Sequence, residues 1–311
     1  YSFYIYAPKR DPILREEWYN PVPLEACSRL GYFAAACREQ GVRFGIGLSP
    51  LGALESFDGA VRQALLQRLR LFDEIGVQDL VIQFDDALAD LSELAARQVE
   101  LVHWVREQSA AERIILCPSY YSEDPMLDAL FGLRPEGYLE TLGRELATEI
   151  EVFWAGEEIC ARQWSPGHLE RIAERLQRRP FLWDNYPVND SDAMASHLHL
   201  RGFTGRPAGI GALCSAHAIN PALQPTLSCI PAITLAESYR KGDDYQYMES
   251  TLAAMVEVLG ESLAAQLFAD LPVLQDAGLH ASSAEKQRLR AVYSGWEHPA
   301  AREVVAWLDG N

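Results

Sequence analysis

The chain of 311 residues is long enough to bury a sizeable core, and one α/β barrel with a small addition accommodates that length. With 49% hydrophobic and 23% charged residues and no repeat or low-complexity stretch, its composition is that of a folded globular protein. A formal charge of −17 repels phosphate backbones and anionic headgroups, which argues against nucleic acid and membrane surfaces as partners and for a small or neutral one.

The opening Tyr1-Ser2-Phe3-Tyr4-Ile5-Tyr6 lacks the basic region of a secretory signal, and no apolar run approaches the roughly 18 residues that span a bilayer. A cytoplasmic location is the expectation. Short apolar runs rich in β-branched and aromatic residues then recur with helical patterns between them. They predict seven strands: residues 2–9 (SFYIYAPK), 43–50 (RFGIGLSP), 79–86 (DLVIQFDD), 113–120 (RIILCPSY), 149–156 (EIEVFWAG), 180–187 (PFLWDNYP) and 208–216 (AGIGALCSA). Near-continuous apolar character means that both faces of each strand are covered, as in a parallel sheet flanked by helices. Helices are predicted between them, among others over residues 65–76, closed by Gly76, and 169–178.

Such alternation fits a barrel or a doubly wound sheet, and two features choose the (β/α)8-type barrel. No GxGxxG turn follows any strand, which removes support for a dinucleotide-binding sheet. Polar residues also gather at the C-terminal strand ends, where barrel active sites lie: Lys9, Ser49, Asp85, Asp86, Ser119, Tyr120, Tyr121, Trp154, Asp184 and Asn185. A closed barrel needs eight strands. With seven counted and the chain beginning on one, a first βα unit is expected to be missing from it. From residue 241 the pattern is wholly helical, over 245–259, 263–271, 284–293 and 300–308. The expected division is therefore a barrel catalytic domain over 1–240 and a helical appendage over 241–311, which covers the barrel floor or mediates a homodimer.

The six cysteines lack CxxC spacing and are expected to be reduced. Seven histidines show no HExxH pattern, and His197 with His199 are two apart, a poor ligand pair on a helix. Neither a metal nor a cofactor is expected. The strongest chemical signal is Phe84-Asp85-Asp86 at a strand end. Adjacent carboxylates repel, so one ionises normally while the other is pushed toward its protonated form, which supplies a base and an acid together. The same pair also serves elsewhere as a solvated loop start or a helix cap, and spacing alone does not choose. Glycoside hydrolysis uses two carboxylates, yet neighbours about 3.8 Å apart at Cα cannot easily straddle a sugar. A nucleophile from elsewhere, such as a 2-acetamido oxygen of the substrate itself, resolves that difficulty.

The run Tyr6-Ala7-Pro8-Lys9-Arg10-Asp11, Phe84-Asp85-Asp86, Cys117-Pro118-Ser119-Tyr120-Tyr121, Phe153-Trp154-Ala155-Gly156, Trp183-Asp184-Asn185 with Asn189-Asp190, and Asn220-Pro221 resembles the catalytic domain of glycoside hydrolase family 84, the β-N-acetylglucosaminidase, O-GlcNAcase and bacterial hyaluronidase-like family. The resemblance covers roughly residues 1–239. It implies a retaining exo-β-N-acetylglucosaminidase that removes terminal GlcNAc from a glycan or glycoprotein by substrate-assisted catalysis through an oxazoline. On that pattern Asp85 orients the acetamido N–H, and Asp86 is general acid and then general base. Tyr121, with Tyr120 as the adjacent competitor, hydrogen-bonds near the acetamide. Trp183 and Cys117 line the acetamide pocket, Asn185 holds the acetamide or Asp85, and Lys9, Asp190 and Asn220 bind sugar hydroxyls. Each residue also has an ordinary structural reading: Trp183 as core, Asn185 and Asp190 as starts of the next helix, Lys9 as a solvated charge, Asn220-Pro221 as a turn. Trp154-Ala155-Gly156 departs from the family's WTG by one hydroxyl, Ala222 departs from its acidic or amide continuation, and the family's GFYG-like first strand precedes the point where this chain begins. A catalytically weak GlcNAc-binding protein on the same barrel is the competing expectation.

Overall fold

The computed structural model describes residues 1–85, 93–191 and 194–310. Two compact units divide the chain. The first comprises Tyr1–Ile159, Gly167–Leu182 and Leu213–Ala216, the second Cys160–Pro166, Trp183–Ala212 and His217–Asn311.

Seven strands occur among the described residues: β1 (Phe3–Tyr6), β2 (Arg43–Leu48), β3 (Asp79–Gln83), β4 (Arg113–Cys117), β5 (Glu151–Trp154), β6 (Phe181–Asp184) and β7 (Ala216–Ile219). They lie in one sheet in sequence order, and the pairs from β1 to β6 are parallel, with Tyr6 opposite Ile46, Leu48 opposite Ile82, Gln83 opposite Cys117 and Trp154 opposite Leu182. Sequential parallel order with helical crossovers is the topology of an α/β barrel. In the first unit Phe3 of β1 meets Phe181 of β6 edge-on at 5.4 Å, and Phe181 meets Phe153 of β5 at 4.6 Å. Side chains of the first and sixth strands thus share one interior, as a curling sheet requires.

The crossovers of this unit include α1 (Leu24–Glu39), α2 (Gly59–Ile75), α3 (Leu94–Gln108), α4 (Pro125–Phe131), α5 (Tyr138–Glu145) and α6 (Pro166–Leu176). Their limits follow local chemistry. Asp58 caps α2 by accepting from the N–H groups of Ala60 and Val61 at 2.9 and 3.1 Å, and Gly76 closes it at φ 85°, a left-handed conformation that a side chain would strain. At the strand starts, Arg43, Asp79, Arg113 and Glu151 are the first residues of β2, β3, β4 and β5. Fully buried Asp79 accepts from Arg43 Nε at 3.1 and 3.2 Å, and Arg113 reaches Asp79 at 3.9 Å while pairing with Glu151. Burial outweighs these arginines and raises the Asp79 carboxyl above its ordinary value.

The second unit has its own apolar centre, built from α7 (Pro225–Lys241), α8 (Tyr247–Leu259), α9 (Glu261–Leu271), α10 (Ser283–Ser294) and α11 (Pro299–Leu308). Ile230, Met255, Leu267, Leu289, Val304 and Trp307 pack there with Leu198 and Leu200. The four helical patterns expected after residue 241 correspond to α8–α11, within two residues at each boundary.

β1 to β6 each end two or three residues before their predicted C-terminal limits, and β7 is displaced. β1 ends at Tyr6 rather than Lys9, because Pro8 has no N–H to give a ladder. Residues 208–216, predicted as a strand, instead form a 3-10 turn over Ala208–Ala212, and β7 begins at Ala216. Of residues 208–212 only Ile210 is β-branched, and the glycines at 209 and 211 weaken an extended segment while permitting the turn. Among the described residues no helix is long and apolar enough to cross a membrane, and none of the six cysteines is joined in a disulfide.

Candidate active site

In the first unit the strand ends are fastened to one another by backbone. Phe84 N–H donates to Cys117 O at 2.9 Å just past β3, which fixes the point where Asp85 leaves the sheet. Asp85 is half-buried there, and Cys117, last residue of β4, is fully buried. Asp86, the second carboxylate of the motif, lies outside the described residues.

Beyond Cys117 a buried polar network supports the loop. Gln98 on α3 donates to Ser119 Oγ at 2.8 Å and accepts from Tyr138 Oη at 2.5 Å, while Ser119 N–H donates to Tyr138 Oη at 3.1 Å. Burial pushes the Tyr138 phenol up, against the pull of these hydrogen bonds, so it stays a neutral donor and acceptor. Tyr120 is fully buried, stacks edge-on with Tyr138 and donates to Gly132 O at 2.7 Å. Its hydroxyl is thus committed to the core, and Tyr121 is the half-buried neighbour.

The loops after β4 and β5 are joined at that point. Ala155 N–H donates to Tyr121 O at 2.7 Å, and Gly156 O accepts from Ser122 Oγ at 2.8 Å and Glu123 N–H at 3.0 Å. Trp154 is core, and its indole N–H donates to His168 Nε2 at 2.8 Å. Burial lowers the pKa of His168, even though Glu123 and Glu157 stand 3.4 and 3.6 Å from Nδ1. Lys9 is exposed in the turn after β1.

In the second unit the structure brings three of the expected residues together. Asn185 Oδ1 accepts from Trp183 Nε1 at 2.9 Å and from Asn220 Nδ2 at 3.1 Å. Asn220 N–H donates to Asp184 O at 2.8 Å, which ties the end of β7 to the end of β6. Asp190 is half-buried one residue beyond Asn189, whose amide donates to Gln224 Oε1 at 2.9 Å and accepts from Leu223 N–H at 3.0 Å.

Sequence reasoning missed what lies under Asn185. The carboxylate of Asp184, 1% exposed, accepts from Arg206 Nε and Nη2 at 2.8 and 2.7 Å, from Trp164 Nε1 at 3.3 Å and from His217 Nε2 at 3.1 Å. Burial alone raises a carboxyl's pKa; here the hydrogen bonds and charges of Arg206 and His217 outweigh it and hold Asp184 below its ordinary value. His217 Nδ1 meets Tyr239 Oη at 2.7 Å on the other side of the ring. Among the described residues no group of three or more His, Cys, Asp or Glu is arranged to hold a metal ion.

The chain is 26% identical to protein O-GlcNAcase of Rattus norvegicus over 247 residues, 76% of this chain and 26% of that protein, and equally so to protein O-GlcNAcase of Mus musculus. It spans about a quarter of the length of these curated relatives. Among solved structures, an aspartate-to-asparagine mutant of the O-GlcNAc hydrolase of Thermobaculum terrenum superposes with a TM-score of 0.79 at 25% identity, covering 99% of this chain and 74% of that one. The family model described as beta-N-acetylglucosaminidase matches residues 1–270, and with the motif-bearing strand ends inside that match, the chain belongs to the β-N-acetylglucosaminidase family.

Proposed function

We propose that this chain hydrolyses terminal β-linked N-acetylglucosamine with retention, the substrate's own acetamide acting as nucleophile. The observation that carries the reading is the match of the family model to residues 1–270, which contain every motif placed at the strand ends above. Protonation of the glycosidic oxygen by Asp86 lets the bond to C1 break as the acetamide carbonyl oxygen closes on C1. Asp85 accepts the acetamido N–H, raising the nucleophilicity of that oxygen and stabilising the positive charge that develops on the ring formed. Asp86, now a carboxylate, takes a proton from water as it opens the oxazoline at C1. Tyr121, Cys117, Trp183 and Asn185 receive the acetamide, and Lys9, Asp190 and Asn220 the sugar hydroxyls. The backbone ties around Tyr121 and the amide chain through Asn185 support these roles, because both orient the groups assigned to the acetamide.

The strongly acidic chain suits a substrate whose recognition rests on a neutral sugar, and GlcNAc-modified protein or glycan is the substrate class proposed. Incubation with 4-nitrophenyl β-N-acetylglucosaminide is expected to release nitrophenol and a sugar of β configuration, followed by proton NMR at the anomeric centre. First-formed α product excludes the mechanism. Tight binding of N-acetylglucosamine thiazoline without turnover identifies a GlcNAc-binding protein instead.

A further inference from the structure

We propose that Asp184, Arg206 and His217 are positioning residues for Asn185, holding its amide at the angle in which it receives the substrate's acetamide; this rests on the function proposed above. Asp184 precedes Asn185 in the chain and reaches it by a second route, since Asp184 O accepts from Asn220 N–H and Asn220 Nδ2 donates to Asn185 Oδ1. With Oδ1 fixed toward Trp183 and Asn220, the rotation of the planar amide is set. The rotation of Asn185 therefore depends on where the ends of β6 and β7 sit.

Those ends are set by the hub. Arg206 spends its guanidinium on Asp184 and on three carbonyls, those of Ala161 and Arg162 at 2.7 Å and Thr204 at 2.8 Å. Gly205, at φ 70°, lets this loop press against the Arg162 carbonyl, where a Cβ has no room. An ionised carboxylate only accepts, so His217 donates to it from Nε2, and its ring is held from the far side by Tyr239. Three donor side chains from three separate segments thus meet one carboxylate. A well-packed apolar pair is commonly as stable as a buried ion pair, so stability alone does not call for charge here; directional fixing of two strand ends does.

The test is a double-mutant cycle on the affinity of one probe, the iminosugar 2-acetamido-1,2-dideoxynojirimycin, measured by inhibition or calorimetry. His217→Leu removes both of its hydrogen bonds and is expected to weaken the probe about tenfold in the wild-type background and less than twofold in the Asn185→Ala background. The same factor in both backgrounds overturns the positioning role while leaving the proposed function intact. A wild-type chain that does not bind the probe overturns the function and this inference together. Should His217→Leu not fold, Tyr239→Phe removes one oxygen from the far side of the same imidazole; a loss of about threefold that disappears in Asn185→Ala supports the proposal, and no loss overturns it.

Discussion

The two ends of the strands in the first unit carry polarity of different kinds. At their starts, Arg43, Asp79, Arg113 and Glu151 neutralise one another side by side and leave no charge to act on a ligand. At their ends, β3 and β4 run into Asp85 and into Cys117–Tyr121, and the fastening there draws on backbone amides, Gln98, Ser119, Ser122 and Tyr138, with Arg134 donating to Ser122 O. Charges paired at the strand starts serve the fold, whereas the polar groups at the strand ends stand where barrel enzymes bind their substrates. Changes at the strand ends are therefore expected to cost activity, and changes at the strand starts to cost stability.

Asp85→Ala is the largest break expected. Turnover of any GlcNAc glycoside should fall about 1000-fold, with the urea midpoint unchanged, because the acetamide loses its orienting base in the transition state. A loss of stability in step with activity would make Asp85 a structural residue and sink the comparison. Asp86→Ala sharpens it by chemistry. An activated dinitrophenyl leaving group needs little protonation and should retain activity within about tenfold, while a natural alkyl aglycone should lose about 1000-fold; equal losses on the two substrates rule out the acid role. At the opposite ends, Arg113→Met leaves Glu151 without its partner and Asp79 with Arg43 alone. Because both side chains of the Arg113–Glu151 pair are partly exposed, the expected cost is about 2 kcal/mol rather than the larger figure for a sealed pair, read from the urea midpoint, with kcat changed less than twofold.

How much of this was legible in the sequence depends on the range over which each signal acts. β2, β3 and β4 were readable because burial on both faces demands an unbroken apolar run, as in Leu80-Val81-Ile82. Gly76 marked the end of α2 because a left-handed cap is a one-residue requirement. β7 was misplaced because 208–216 is apolar with Ile210 as its single β-branched residue, and an Ala-Gly run turns as readily as it extends. The expected residues Trp183, Asn185 and Asn220 do meet, and the motif order was the signal for them. The hub beneath them carried no signal, since Trp164, Arg206 and His217 stand 20, 22 and 33 residues from Asp184 and no local pattern announces which donors will converge on a buried carboxylate. Gln98 offered only a hint, a polar residue on the buried face of α3.

The smallest effect contrasts two sealed aspartates and tests whether hydrogen-bond count, more than burial, decides how a carboxylate behaves in this fold. Asp184, with four donors, has its pKa held below the ordinary 3.8, so its contribution to stability is present above pH 3.8 and is lost as pH falls through the lower folded value. Asp79, with one arginine at hydrogen-bond distance and another at 3.9 Å, has its pKa raised above 3.8, so its contribution is present below pH 3.8 and is lost as pH rises through the higher folded value. On acidification from pH 6 to 3, Asp79 therefore offsets part of what Asp184 and the surface carboxylates give up. Asp79→Asn should steepen the fall in unfolding free energy over that range and Asp184→Asn should flatten it, each by about 1 kcal/mol, in urea titrations at the two pH values. If both substitutions move the slope in the same direction, burial governs the two sites alike, and the extra donors on Asp184 do not set its ionisation.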